Sequence, residues 1–161
     1  MTTPPPRVRV LFVCIGNSCR SPMAEAIARH LYPDLMEVSS AGLSAFGSVQ
    51  PETRAVLSER GIPADGLASK QLSKESLQEA DVVINMSGRS GGLLAAQGGP
   101  RIEDWEVGDP FGSGLDVYRE ICDEIEFRLA NFAEELKSLR KSERTAAPQA
   151  VGRAHREKRG N

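Results

Sequence analysis

The sequence predicts an α/β fold: a single-domain three-layer sandwich whose central four-stranded parallel sheet carries helices on both faces. The chain has 161 residues, of which 40% are hydrophobic and 26% charged, as in an ordinary globular domain. Short apolar segments rich in β-branched residues alternate along it with segments of helical period. Such alternation is typical of parallel strands joined by right-handed helical crossovers.

The first half of the chain supplies two strands and two helices. Residues 7–13 form a β-branched run that becomes fully apolar, as in a strand buried on both faces. A Ser-Pro pair opens the helical period of 21–31, because a first turn does not need proline's missing N–H. Residues 36–40 predict a second strand, and 52–60 predict a helix that stops at Gly61.

The second half predicts two more strands and a long final helix. A helix starts within 73–76, and the apolar residues of 81–86 form the third strand. Residues 87–97 predict a short helix despite their glycines, and 101–105 predict a short fourth strand. Residues 114–139 have the longest helical period, with apolar side chains along one face.

Composition excludes several classes of protein. A net charge of −2 argues against a wholly basic nucleic-acid binder, and no apolar run approaches the roughly 18 residues of a membrane-spanning helix. The first six residues lack the pattern of a signal peptide. Three cysteines do not make a disulfide framework. We therefore expect a cytoplasmic protein with reduced thiols and no membrane partner.

The charges divide the chain into three segments. Residues 140–161 hold seven basic and two acidic residues, a net charge of +5, and the hydrophobic period ends before them. We therefore expect a flexible leader at 1–7, a folded domain at 8–139 and a basic, disordered tail at 140–161. Because the tail has no aromatic residue, a solvated terminus is favoured over a nucleic-acid-binding segment.

The turn between the first strand and the first helix has the features of a phosphate-binding loop. It places Cys14 six positions before Arg20, where backbone N–H groups and a helix dipole favour an anion. Gly16 and Asn17 tolerate positive φ, and the guanidinium of Arg20 matches two phosphate oxygens. The same field stabilises the thiolate form of Cys14, which makes this residue a candidate nucleophile.

The residues of this turn resemble the signature of the low-molecular-weight protein tyrosine phosphatase family. The run that carries the resemblance is Val13-Cys14-Ile15-Gly16-Asn17-Ser18-Cys19-Arg20-Ser21-Pro22-Met23-Ala24-Glu25. The resemblance continues at 40–42, 80–81 and 109–110, and it covers about 9–139. It implies a phosphatase that needs no metal or cofactor, because arginine and amides supply the positive field around the phosphate.

The resemblance also implies the catalytic roles. Cys14 forms a phosphocysteine, and Asp109, in an Asp-Pro pair, is the general acid. Asp104 is a rival carboxylate that more typically caps or solvates a strand end. The phosphate is expected to bind to the loop residues Ile15, Gly16, Asn17, Ser18, Cys19 and Arg20.

Further family positions would support the loop. Asn17 and Ser21 resemble residues that brace it through hydrogen bonds, with partners at Ser40 and at a histidine. That histidine aligns near Leu67 here, so water or Ser69 is expected to replace it.

The two other cysteines have different expected roles. In the family, a cysteine at the position of Cys19 can form a reversible disulfide with the nucleophile, and the alternative is a packing role. Cys122 lies on the apolar face of the final helix and is expected in the core.

The expected substrate is a phosphorylated protein or a small phosphomonoester, with inorganic phosphate as product. Phe46 and Phe111 can form aromatic walls for phosphotyrosine, although ordinary core positions are an alternative for both. Ser18 and Phe111-Gly112 also resemble the phosphoarginine phosphatase branch. An arsenate reductase would need a further cysteine pair, which 87–92 lacks, and a non-catalytic phosphate-binding module is the remaining alternative.

Overall fold

Four strands form one parallel sheet in the computed structural model, which describes residues 5–94 and 99–159. The strands are β1 (Val8–Cys14), β2 (Met36–Gly42), β3 (Val82–Asn85) and β4 (Arg101–Asp104). Their order across the sheet is β2-β1-β3-β4, and each neighbouring pair is parallel. The predicted four-stranded parallel sheet is confirmed.

Four helices surround the sheet among the described residues. They are α1 (Arg20–Leu31), α2 (Pro51–Glu59), α3 (Lys74–Glu79) and α4 (Leu115–Arg159). None of them combines the length and the apolar character needed to cross a membrane. The helix predicted over 87–97 is one 3-10 turn at Gly91–Leu93, since its glycines disfavour helix, and 95–98 lie outside the described residues.

The crossovers place helices on both faces of the sheet, as predicted. The chain moves from β1 to β2 through α1 and then returns past β1 to β3 through α2 and α3. Because right-handed crossovers in opposite directions lie on opposite faces, both faces of β1 are covered. One of the resulting core clusters contains Leu11, Val13, Ala41 and Val83, with Leu77 and Ala80 packed against it.

Residues 1–129 and 130–161 are two compact units, and α4 is the last described helix. Its helical backbone continues to Arg159, whereas the hydrophobic period predicts an end at Leu139. The reason for this difference is that residues 140–159 are rich in Ala, Lys, Arg and Glu, which favour helix without a packed face. The predicted boundaries at 7 and 139 and the disorder of the tail stay predictions, and 1–4 and 160–161 lie outside the described residues.

Candidate active site

The loop between β1 and α1 is held by hydrogen bonds to its carbonyl groups. Those of Cys14, Ile15, Gly16 and Ser18 accept from the amides of Leu43, Ser44, Phe46 and Gln50 at 2.8 to 3.0 Å. The amides of 15–19, in contrast, donate to no other described residue. They are therefore free to bind an anion, as a phosphate-binding loop requires.

Asn17 braces this loop from inside and adopts the left-handed backbone conformation, with φ of 49°. Its Nδ2 donates to Ser21 Oγ at 2.7 Å and to Ser40 Oγ at 3.0 Å, and its Oδ1 accepts from the amide of Lys70 at 2.7 Å. Ser21 Oγ lies 2.9 Å from Cys14 Sγ. The three residues named as loop supports thus lie together, and they connect to the candidate nucleophile.

Glu25, which no motif in the sequence singled out, extends this network. Its carboxylate is buried and accepts from Ser40 Oγ. Arg29 Nη2 lies 2.6 Å from its Oε2, and Lys70 Nζ lies 3.8 Å from its Oε1. The available signal was a charged residue within the buried stretch at the start of α1, where an unpaired carboxylate would be costly.

Ser69 occupies one of the positions expected to replace the family histidine. Its Oγ donates to the carbonyl of Gly16 at 3.0 Å and accepts from the amide of Gly47 at 3.0 Å. Leu67, which aligns near that histidine, is a buried apolar residue instead. Ser69 therefore links the phosphate-binding loop to the segment that carries Phe46.

Arg20 has one side of its guanidinium anchored to the main chain. Nη1 donates to the carbonyl of Met86 at 2.6 Å and to that of Val107 at 3.1 Å. Nη2 lies 3.6 Å from Asp109 Oδ2, and the buried Nε has no hydrogen-bond partner among the described residues. The edge formed by Nε and Nη2 has a geometry that matches two phosphate oxygens.

Asp109 lies at the mouth of the site, with half of its side chain exposed. Its Oδ1 accepts from the amide of Phe111 at 3.1 Å, which fixes the carboxyl group beside Arg20. A carboxyl group that is both fixed and open to solvent suits proton exchange with a leaving group.

Phe46 and Phe111 frame the cavity. Their ring centroids are 5.3 Å apart at an interplanar angle of 72°, and the two residues are 56% and 48% exposed. This exposure excludes the alternative of ordinary core positions. The cavity measures about 260 Å³ and is lined by Cys14, Ile15, Gly16, Ser18, Cys19, Arg20, Ser44, Phe46, Asp109 and Phe111.

Cys19 and Cys122 are both buried free thiols. Burial raises the pKa of Cys19, whose Sγ lies 3.4 Å from Tyr118 Oη. Burial also raises the pKa of Cys122 to about 11. Neither thiol is therefore ionised at neutral pH, and the redox role of Cys19 stays a prediction. No cluster of metal-ligating side chains occurs in the described part of the chain.

A parallel sheet whose first strand ends at a cysteine, followed by a loop of unpaired amides and a helix, is typical of α/β proteins that bind an anion at this loop. The family described as low molecular weight phosphotyrosine protein phosphatase matches residues 9–143, and the chain belongs to this family. It is therefore a hydrolase of the phosphatase type.

Three relatives illustrate the range of the family. The glutaredoxin arsenate reductase of Synechocystis sp. is 36% identical over 76% of this chain and 94% of its own. The low molecular weight protein-tyrosine-phosphatase PtpB of Staphylococcus haemolyticus is 35% identical over 73% and 92%. The solved YwlE arginine phosphatase from Geobacillus stearothermophilus is 34% identical, with a TM-score of 0.75 over 84% and 96%.

Proposed function

We propose that this enzyme hydrolyses phosphotyrosine on proteins through a phosphocysteine at Cys14. The observation that carries the proposal is that Cys14, Arg20 and Asp109 line one cavity beneath the free loop amides. We place the reaction in the cytoplasm, where the three free thiols stay reduced.

In the first step the Cys14 thiolate attacks phosphorus. A P–S bond forms as the P–O bond to the tyrosine breaks, and Asp109 gives its proton to the leaving oxygen. Arg20 and the loop amides stabilise the charge on the three other oxygens. No metal or cofactor is needed, because these groups supply the positive field.

In the second step water breaks the P–S bond. The Asp109 carboxylate takes a proton from the water, whose oxygen bonds to phosphorus, and the thiolate leaves. Ser21 Oγ, 2.9 Å from the sulfur, can donate a hydrogen bond to the departing thiolate. Inorganic phosphate is the product.

Two substitutions test this mechanism, Cys14→Ser with p-nitrophenyl phosphate and Asp109→Asn with a phosphotyrosine protein. Cys14→Ser removes the nucleophile, so we expect no turnover and retained phosphate binding. Asp109→Asn keeps an acceptor for the amide of Phe111 but loses the proton, so kcat should fall on the order of 10²- to 10⁴-fold with a protein substrate. Asp116→Asn, at an exposed carboxylate of α4, is the control. Turnover retained by Cys14→Ser would contradict the proposal.

A second candidate substrate is phosphoarginine. Ser18 is buried at the cavity wall, where its hydroxyl makes the wall polar, as suits an acyclic, polar guanidinium. The similarity to the arginine phosphatase of known structure also supports phosphoarginine as the substrate. The mechanism would be unchanged, except that a P–N bond breaks.

Phosphopeptides decide between the two substrates. With matched peptides that carry phosphotyrosine, phosphoserine or phosphoarginine, we expect the highest kcat/KM for phosphotyrosine. In Ser18→Ile the added apolar bulk should lower activity on phosphoarginine by more than activity on phosphotyrosine. Ser58→Ile, on the exposed face of α2, is the control. A wild-type preference for phosphoarginine would replace the first candidate by the second.

Arsenate reduction is less well supported, although a relative carries that name. Reduction consumes two electrons, which thiols supply as they form a disulfide, and a thiol relay must carry that disulfide from Cys14 to the surface for re-reduction. The chain has three cysteines; Cys122 is fully buried, and the segment 87–92 contains none. The remaining alternative is a non-catalytic module, which would bind phosphate without hydrolysing it. Turnover of p-nitrophenyl phosphate by the wild type would exclude this alternative.

A further inference from the structure

The orientation of Arg20 depends on two carbonyl groups that follow β3 and β4. Nη1 donates to Met86, which comes directly after β3, at 2.6 Å and to Val107, which follows β4, at 3.1 Å. The contact with Met86 is the shorter one. The position of the Met86 carbonyl therefore strongly influences where the free edge of the guanidinium points.

Asn85 ties the chain on both sides of Met86. Its Nδ2 donates to Asp104 Oδ1 at 2.8 Å and to the carbonyl of Arg89 at 2.7 Å. Its Oδ1 accepts from Ser87 Oγ at 2.7 Å and from the amide of Ser87 at 3.2 Å. The side-chain amide of this buried residue thus uses both donors and both acceptor positions.

Asp104 is the register partner of Asn85 on β4 and holds the other end of the same turn. Its Oδ2 accepts from the amide of Gly91 at 3.4 Å. A Cβ on Gly91 would lie 2.5 Å from Asp104 Oδ1 and 2.6 Å from Ile102 Cγ2. The turn therefore packs directly against the ends of the two strands.

From these contacts we infer that Asn85 and Asp104 are positioning residues for Arg20, acting through the turn that carries the Met86 carbonyl. For Asp104 this role goes beyond the capping or solvation of a strand end that its sequence context suggests. The inference rests on the proposed function, in which Arg20 binds phosphate. It predicts that loss of the pair weakens anion binding at the loop while Cys14 keeps its reactivity toward a neutral reagent.

Alkylation of Cys14 separates these two effects. Iodoacetate, an anion, needs the loop field to reach the sulfur, whereas neutral iodoacetamide does not. In Asn85→Ala we expect inactivation by iodoacetate to slow about tenfold and inactivation by iodoacetamide to stay within about twofold. Protection by inorganic phosphate and kcat/KM for p-nitrophenyl phosphate should fall with the iodoacetate rate. Equal slowing by both reagents, or no change in their ratio, would overturn the inference.

A double substitution at Asn85 and Asp104 tests whether the inactivation rate with iodoacetate can be restored. Asn85→Asp alone sets two carboxylates side by side and should lower the iodoacetate rate. Adding Asp104→Asn restores a hydrogen bond between the side chains, so part of the rate should return. No recovery in the double variant would count against the pair. If Asn85→Ala fails to fold, Asp104→Leu, at an exposed position, provides the same comparison.

The wild-type enzyme distinguishes failure of the proposed function from failure of the inference about Asn85 and Asp104. If it shows neither faster inactivation by iodoacetate nor protection by phosphate, Arg20 and the loop do not bind anions, and the proposed function fails together with the inference. If it shows both and Asn85→Ala keeps both, the inference alone fails.

Discussion

The three free cysteines of this chain lie in three different surroundings. Cys14 lies beside the hydroxyl of Ser21 beneath the free loop amides. Cys19 contacts the buried phenol of Tyr118, and Cys122 is fully buried. We propose Cys14 as the nucleophile because it lines one cavity with Arg20 and Asp109. Burial raises the pKa of the other two thiols.

The buried thiol of Cys122 should make stability depend on alkaline pH. Its pKa rises from 9.0 to about 11 on folding, so the unfolded chain ionises first. The contribution is fully present below about pH 9 and is lost as the pH rises to about 11, a loss of about 2–3 kcal/mol. Urea unfolding at about pH 8 and about pH 10.5 measures it.

Cys122→Ala is the matched comparison for this pH dependence. The variant loses a small core side chain at every pH, but its free energy of unfolding should fall less steeply above about pH 9. Cys19 and Tyr118, whose pKa values burial also raises, titrate in both proteins and cancel from the difference. Equal slopes for wild type and variant would contradict the prediction.

At the scale of elements, the end of β2 supports the phosphate-binding loop. A Cβ on Gly42 would lie 2.7 Å from the carbonyl oxygen of Ile15 and 2.8 Å from the amide nitrogen of Asn17. Both are backbone atoms of the loop, so they cannot move aside unless the loop itself shifts. Gly42 is thus the residue that lets β2 and the loop pack together.

Gly42→Ala should therefore displace the loop and lower kcat/KM roughly 10- to 10²-fold, since small misplacements of reacting groups are costly. Steady-state kinetics with p-nitrophenyl phosphate measure the effect. Gly114→Ala, at a glycine with open space around it, is the control and should keep wild-type activity. Matching kinetics for the two variants would show that the loop tolerates the added methyl group.

The strands and the loop itself were predictable from sequence, whereas the supports of the loop were only partly so. Strand periodicity located β1 to β4 to within two residues, because buried apolar runs are a local signal. Ser69 was named only through the family resemblance, and Glu25 was given no role. Their partners are distant in the chain, and a serine or glutamate has no local pattern that reveals such a partner. Asn85 and Asp104 meet only because β3 and β4 pair in parallel.

At the scale of the whole molecule, the net charge of −2 is the sum of a basic segment and an acidic remainder. The basic segment 140–161 carries +5, so the remainder of the chain is acidic. In the proposed function, attraction of a phosphorylated substrate comes from the local field of Arg20 and the loop amides rather than from overall charge. The candidate catalytic residues all lie between 14 and 109, outside the basic segment.

The most direct test of the proposed mechanism is to trap the phosphoenzyme. Asp109→Asn, which lacks the base for the second step, is mixed with p-nitrophenyl phosphate, quenched rapidly and analysed by mass spectrometry of its peptides. We predict a burst of about one p-nitrophenol per active site and a phosphoryl group on the peptide that contains Cys14. Turnover without this adduct, or an adduct on a different residue, would contradict the account.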